Sequence, residues 1–164
     1  MDARRESEPT PMKNRTTVER KSERELVVTR TVNGPSRIVF EAWTKPELFR
    51  RWWVPKSMGM SLLSCEMDVR VGGKYRLEFE PEGMAFFGTY LVVTPHSRLV
   101  WTNEESDEGS VTTVTFAEQG DKTLLVMHEL YASKEALDAA GTGAAEAMGE
   151  SFEQLDELLA SLRS

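Results

Sequence analysis

The sequence predicts an α+β fold: a curved antiparallel seven-stranded sheet, two short helices after its first strand, and a long C-terminal helix across its concave face. Three observations carry this. Seven runs rich in β-branched and aromatic residues are separated by short turn clusters, at about 25–32, 61–71, 74–80, 85–94, 98–104, 110–118 and 122–131. Near the end, Met148, Phe152, Leu155, Leu159 and Leu162 recur at steps of four, three, four and three, one apolar stripe of a helix. The length is 164 residues with 40% apolar and 29% charged composition, enough for one domain with a real core.

Each element has a local reason. Residues 1–21 carry six basic and four acidic side chains and few apolar ones, so they read as a flexible leader outside a single domain at 22–164. Deleting them is expected to cost little stability. Glu25–Val32 is the first strand, and Asn33-Gly34-Pro35 ends it with proline at a helix start. Ile38, Val39, Ala42 and Trp43 follow at helical spacing. Thr44-Lys45-Pro46-Glu47 reads as a capping box for a second short helix carrying Leu48, Phe49, Trp52 and Trp53. Gly72-Gly73 suits a two-residue hairpin. Clusters at 81–83, 95–97, 107–109 and 120–121 mark the other turns, and consecutive short turns mean a meander. Ser133 caps a short helix to about Ala140, Gly141-Thr142-Gly143 breaks it, and the striped helix runs from about Ala144 to Leu162. Its acids, Glu146, Glu150, Glu153, Asp156 and Glu157, are expected to face water.

Composition excludes several functions. The net charge of −7 disfavours nucleic-acid backbones. One cysteine and two histidines are too few for the usual zinc sites, and no calcium-loop spacing occurs. No phosphate loop, dinucleotide fingerprint or nucleophile elbow is present. No apolar run is long enough to span a membrane. The expectation is a cytoplasmic protein without cofactor or metal, monomer or homodimer.

A long helix laid across a curled sheet touches it well at one end and leaves a space at the other, which is the default ligand cavity. Candidate lining residues are Trp43, Trp52, Trp53, Met60, Tyr75, Phe79, Phe87, Trp101, His128, Met148 and Phe152. His128 shares a strand face with Leu124, Val126 and Leu130 and reads as a buried, hydrogen-bonded residue, with a polar group that orients a ligand, or a general base near neutral pH, as the functional alternatives. Glu66, Asp68, Arg70 and Arg76 read as an ion-pair ladder, with an anchor for a polar ligand end as the alternative. No paired acid and base or activated nucleophile stands out, so no catalytic residue is assigned.

Together these motifs resemble the helix-grip superfamily (SRPBCC) that includes START lipid-transfer domains and the birch-pollen allergen. More narrowly, the chain resembles the branch named for homologues of the activator of the heat-shock protein 90 ATPase. The matching residues are Thr44–Glu47 with Trp52-Trp53-Val54-Pro55, Asp68–Arg76, Gly88-Thr89-Tyr90, Thr123 with His128, and Leu155–Leu158. Many members carry Gly-Trp in the last helix; here Gly149 is followed by Glu150. The resemblance implies a helix-grip fold over about 24–163 and non-enzymatic binding of a hydrophobic small molecule. The alternatives are a stress-related, co-chaperone-like module docking on a chaperone-type partner, and a cyclase- or hydrolase-type enzyme.

Overall fold

The computed structural model describes residues 16–59, 61–80, 85–104, 109–140 and 143–163. Eight strands form one antiparallel sheet: β1 (Thr17–Arg20), β2 (Glu25–Val32), β3 (Ser61–Met67), β4 (Lys74–Glu80), β5 (Ala85–Thr94), β6 (Arg98–Asn103), β7 (Ser110–Gln119) and β8 (Lys122–Tyr131). Their order is β1-β2-β8-β7-β6-β5-β4-β3, so β3 to β8 form the expected meander and β2 pairs with β8. The helices are α1 (Ser36–Thr44), α2 (Pro46–Phe49), α3 (Lys134–Ala140) and α4 (Gly143–Arg163).

The sheet has eight strands instead of seven because the end of the expected leader is a strand. Thr17–Arg20 pairs with Leu26–Thr29. Its composition is polar because an edge strand needs backbone pairing more than a buried face. Its neighbours tie it down further. Thr16 Oγ1 accepts from Arg30 Nη1 at 2.9 Å, and Arg20 pairs with Asp138 of α3 at 2.7 Å.

Alternation sets the two faces of the sheet. Leu26, Val28 and Val32, then Leu125 and Met127, then Val114 and Phe116, are buried on the side of the helices. Helix α4 packs on β2, and α1 packs on β7 and β8. The stripe of α4 is buried at Met148, Phe152, Leu155 and Leu159, with Leu162 exposed at its end. Burying one such side chain contributes roughly 1.5–3 kcal/mol.

Two of the acids expected in water instead anchor α4, one to β2 and one to the turn after α2. Asp156 accepts from Arg30 Nη2 at 2.8 Å and from the Asn33 backbone N–H at 2.9 Å. Arg30 is 5% exposed, so its charge needs that partner. Glu150 accepts from the Ser57 backbone N–H at 3.0 Å and its hydroxyl at 2.5 Å.

Local chemistry differs from expectation at three places. Thr44 does not cap α2: its hydroxyl donates back to the Phe40 carbonyl at 2.9 Å and finishes α1. Extended Lys45 and Pro46 at the first turn start α2 instead, which is one turn long. Trp52 and Trp53 therefore lie in the turn after α2, not on its face. Residues 68–73 form the connection from β3 to β4, so Gly72-Gly73 is not a two-residue hairpin. Gly72 donates to the Tyr90 carbonyl and Tyr90 donates to the Gly73 carbonyl, both at 2.8 Å, which draws this connection onto β5.

Candidate functional site

The half of the sheet built from β3 to β6 is covered differently from the half under α4. Its helix-facing residues are Met67, Tyr75, Leu77, Phe86, Tyr90, Trp101 and Asn103, and with Trp43, Phe49 and Trp53 they enclose a gap of about 50 Å³. That is room for one or two waters at about 30 Å³ each, against roughly 300–1,000 Å³ for a formed ligand pocket. Met67, Phe86, Trp53 and Trp101 are only half-buried.

The aromatic wall is continuous. Phe49 stacks on Trp53 at 4.8 Å, and Trp43 sits 5.8 Å from Trp53 and 6.0 Å from Trp101. Trp101 meets Tyr75 and Tyr90, each at 6.4 Å. Trp43 also reaches the other half, lying 4.9 Å from Trp52 and 6.3 Å from Phe152. Its indole N–H is buried without an acceptor among the described residues. Such a donor costs about 1–3 kcal/mol.

Helix α4 positions the tryptophan turn through polar contacts to backbone. Gln154 donates to the carbonyls of Trp52 and Val54, each at 2.9 Å, and its oxygen accepts from the Lys56 N–H at 2.9 Å. Ser151 donates to the Trp53 carbonyl at 2.8 Å. Glu150, the residue before Ser151, holds Ser57 and carries this clamp past the tryptophans.

Gly88 positions Tyr75. The two are register partners, and a Cβ on Gly88 would lie 1.8 Å from the Thr102 carbonyl oxygen and 2.8 Å from the Tyr75 ring. Only glycine lets the ring lie there. Its hydroxyl then reaches the Thr102 carbonyl at 2.9 Å and Asn103 Oδ1 at 3.0 Å. Asn103 Nδ2 donates to Ser110 Oγ at 3.0 Å and Thr112 Oγ1 at 2.9 Å, and Thr112 donates to Glu129. The gap thus has an apolar wall and one polar end. Burial pushes the Tyr90 hydroxyl well above the usual phenol range. Burial likewise raises the Cys65 thiol, against the opposing pull of Arg50, so it stays protonated and is a poor nucleophile.

Of the candidate residues, the gap brings together Trp43, Trp53, Tyr75 and Trp101. Trp52 and Phe152, both 0% exposed, and Met148 belong to the core under α4, and the Trp52 indole donates to the Ala42 carbonyl at 3.0 Å. Phe79 is buried against Phe86 and does not line the gap. Met60 lies outside the described residues.

Phe87 and His128 project from the opposite face. Phe87 lies under the Arg76 guanidinium, and His128 Nε2 meets Glu25 Oε2 at 2.8 Å at the surface. The aliphatic neighbours of His128 proved to be the half-exposed set on β8, one register step from the buried Leu125 and Met127. Asp68 pairs with Arg70 at 2.9 Å and Arg76 with Glu78 at 3.1 Å, all four within single segments and not as a ladder across strands. None of them lines the gap.

Phe49, Met67, Leu77, Phe86, Tyr90 and Asn103 were not among the candidates. Alternation alone places Leu77 with Tyr75, and Asn103 with Trp101. Among the described residues, no cluster of three or more His, Cys, Asp or Glu side chains could hold a metal. No helix among them is long and apolar enough to cross a membrane.

The model of the family "Activator of Hsp90 ATPase homolog 1-like protein" matches residues 33–160. The chain belongs to this family. Similar solved structures include a Rhodobacter sphaeroides protein, with 26% identity, a TM-score of 0.82, and cover of 90% of this chain and 99% of that one. A Nitrosomonas europaea protein shows 26% identity and a TM-score of 0.76, over 87% and 98%. A Mycobacterium smegmatis protein shares the fold, with 21% identity and a TM-score of 0.75, over 88% and 96%. No curated protein matches. The match covers β3 to β8, the two short helices after β2 and α4 up to residue 160, whereas β1 and β2 lie outside it.

Proposed function

We propose that this family member binds a small hydrophobic molecule without chemically changing it, between the β3–β6 half of the sheet and the turn carrying Trp53. The observation that carries the reading is the gap itself: an aromatic wall, half-buried at the rim, with Tyr75 and Asn103 as its one polar end. A core that serves stability alone packs to crystal-like density and leaves few voids larger than a water molecule. The closed gap takes the end of a ring, and the rest of the ligand lies between the rim residues Met67, Phe86 and Trp53 as they part.

The experiment is a titration with an apolar aromatic probe read by indole emission, in the parent and in Met67→Trp. The parent quenches on binding. The substitution fills the mouth, weakens binding at least fivefold and leaves the melting temperature within about 3 °C. Loss of melting temperature together with no quenching in the parent overturns the reading and makes this half solid core.

A second reading, docking on a chaperone-type protein, is favoured by one observation: β3 is an edge strand of the sheet and exposes Leu63. Leu63→Lys would then abolish partner capture and leave probe binding untouched.

A further inference from the structure

Hydrogen-bond accounting at the polar end of the gap gives the kind of molecule that fits it. Glu129 on β8 lies outside the gap, and its carboxylate accepts a hydrogen bond from Thr112 Oγ1 on β7. A threonine hydroxyl has one proton. Having given it to Glu129, Thr112 meets its next neighbour as an acceptor. That neighbour is Asn103 on β6, and the group it presents at 2.9 Å is therefore the amide nitrogen. The second amide hydrogen goes to Ser110, at 3.0 Å from its hydroxyl and 3.4 Å from its carbonyl. Both hydrogens are spent inside the sheet. The side-chain oxygen is what Asn103, a lining residue, offers an occupant. Tyr75 also donates towards it, but the same hydroxyl has the Thr102 carbonyl at 2.9 Å as a second acceptor, so two acceptors share one proton. Among the described residues, this shared proton is the one hydrogen bond that Asn103 Oδ1 receives.

We infer that the occupant presents a hydrogen-bond donor, a hydroxyl or N–H carried by an aromatic ring, to Asn103 Oδ1, and that Glu129 sets this polarity from two strands away through Thr112. The inference rests on the reading that the gap binds a small hydrophobic molecule. A carboxylate or an ether at the same place brings an acceptor to an acceptor. Glu129 is a positioning residue: it turns the Asn103 amide without touching the ligand. Replacing it by glutamine gives Thr112 an N–H to accept from, so Thr112 can reverse, donate to Asn103 and turn the amide nitrogen towards the gap.

The test is a comparison of three probes with one ring system substituted at the same position: 2-naphthol, 2-methoxynaphthalene and 2-naphthoate. Each is titrated by calorimetry into the parent, Glu129→Gln and Thr112→Val. The parent is expected to bind naphthol about tenfold tighter than the methyl ether, one net hydrogen bond in size, and to bind naphthoate weakest. In both variants that preference falls below about threefold. A ratio between two probes is the right readout, because loosening of the fold weakens both together and leaves the ratio alone.

If the parent binds naphthol and its ether equally, the inference falls and the binding site stands. If the preference survives in both variants, the role of Glu129 is overturned. If none of the three binds, the site and the inference fall together. Where one variant does not fold, the other carries the test, and the parent ratio needs neither.

Discussion

The two halves of the sheet are covered by different chemistry. Over β2, β7 and β8 the cover is α4 and α1, and the buried side chains are mainly aliphatic: Leu26, Val28, Leu125, Leu155 and Leu159. Over β3 to β6 the cover is a turn and a one-turn helix, and the facing residues are mainly aromatic, with half-buried members at a rim. Trp43 joins the halves, touching Phe152 on one side and Trp101 on the other. The contrast teaches that the part of the core sealed by α4 and the site proposed for binding can be perturbed separately. One half is sealed by the apolar stripe of α4, and the turn over the other is held by polar bonds from α4 to its backbone.

The most severe way to break the comparison is Leu155→Asp. An unpaired carboxylate in the aliphatic half costs several kcal/mol, comparable to a whole domain's stability, so the variant loses its cooperative melt and all binding. A variant melting within a few degrees of the parent shows that α4 does not seal this half.

Gly88→Val acts in the other half. The added Cβ drives into the Thr102 carbonyl and the Tyr75 ring, at about 3 kcal/mol, the top of the usual overpacking range. Circular dichroism would show a folded protein with a lower melting temperature, and probe titration would show no binding.

Deleting residues 1–21 removes β1 and the Thr16 acceptor of Arg30. A buried charged donor then loses a partner, and stability falls by about 1–3 kcal/mol in chemical denaturation. The polarity of these residues argued for almost no loss. A change below about 0.5 kcal/mol would restore that view.

The smallest effect is on the clamp. Bonds from the Ser57 hydroxyl and then its backbone N–H hold the Glu150 carboxyl below its ordinary range. A depressed folded-state pKa means that this contribution is complete above the unfolded value, near 4.5, and is lost as pH falls through the lower folded value. Trp53 emission should therefore change as pH drops below about 4.5 in the parent and lose that component in Glu150→Gln. An identical acid profile in both would remove Glu150 from the clamp.

The aliphatic half was legible because it is periodic. The step of four and three in α4, and the alternation in β2 and β8, belong to single elements and survive without a structure. The face of the gap was legible only in part. Tyr75 and Trp101 stand on alternating strands, but Phe49 ends a one-turn helix and Trp53 reaches the gap through a turn whose course depends on Gln154 and Ser151, about a hundred residues away. His128 was misplaced by a reading of one strand alone: its aliphatic neighbours line the outward face, and only the pairing with β2 shows which face is which. Thr17–Arg20 was missed because an edge strand of polar residues has no apolar period to read. The polar chain from Asn103 to Glu129 crosses three strands, and no spacing within one strand announces it.

The separation of halves has one direct test. The chain has four tryptophans, so four indole N–H resonances report on both sides at once in a nitrogen-15 correlation spectrum. Trp53 and Trp101 line the gap, Trp43 bridges, and Trp52 is fully buried with its N–H on the Ala42 carbonyl. On titration with 2-naphthol, the resonances of Trp53 and Trp101 should move most and that of Trp43 less, while that of Trp52 stays within its line width. Four unmoved resonances, or a shift largest at Trp52, would contradict the placement of the binding site in the β3–β6 half.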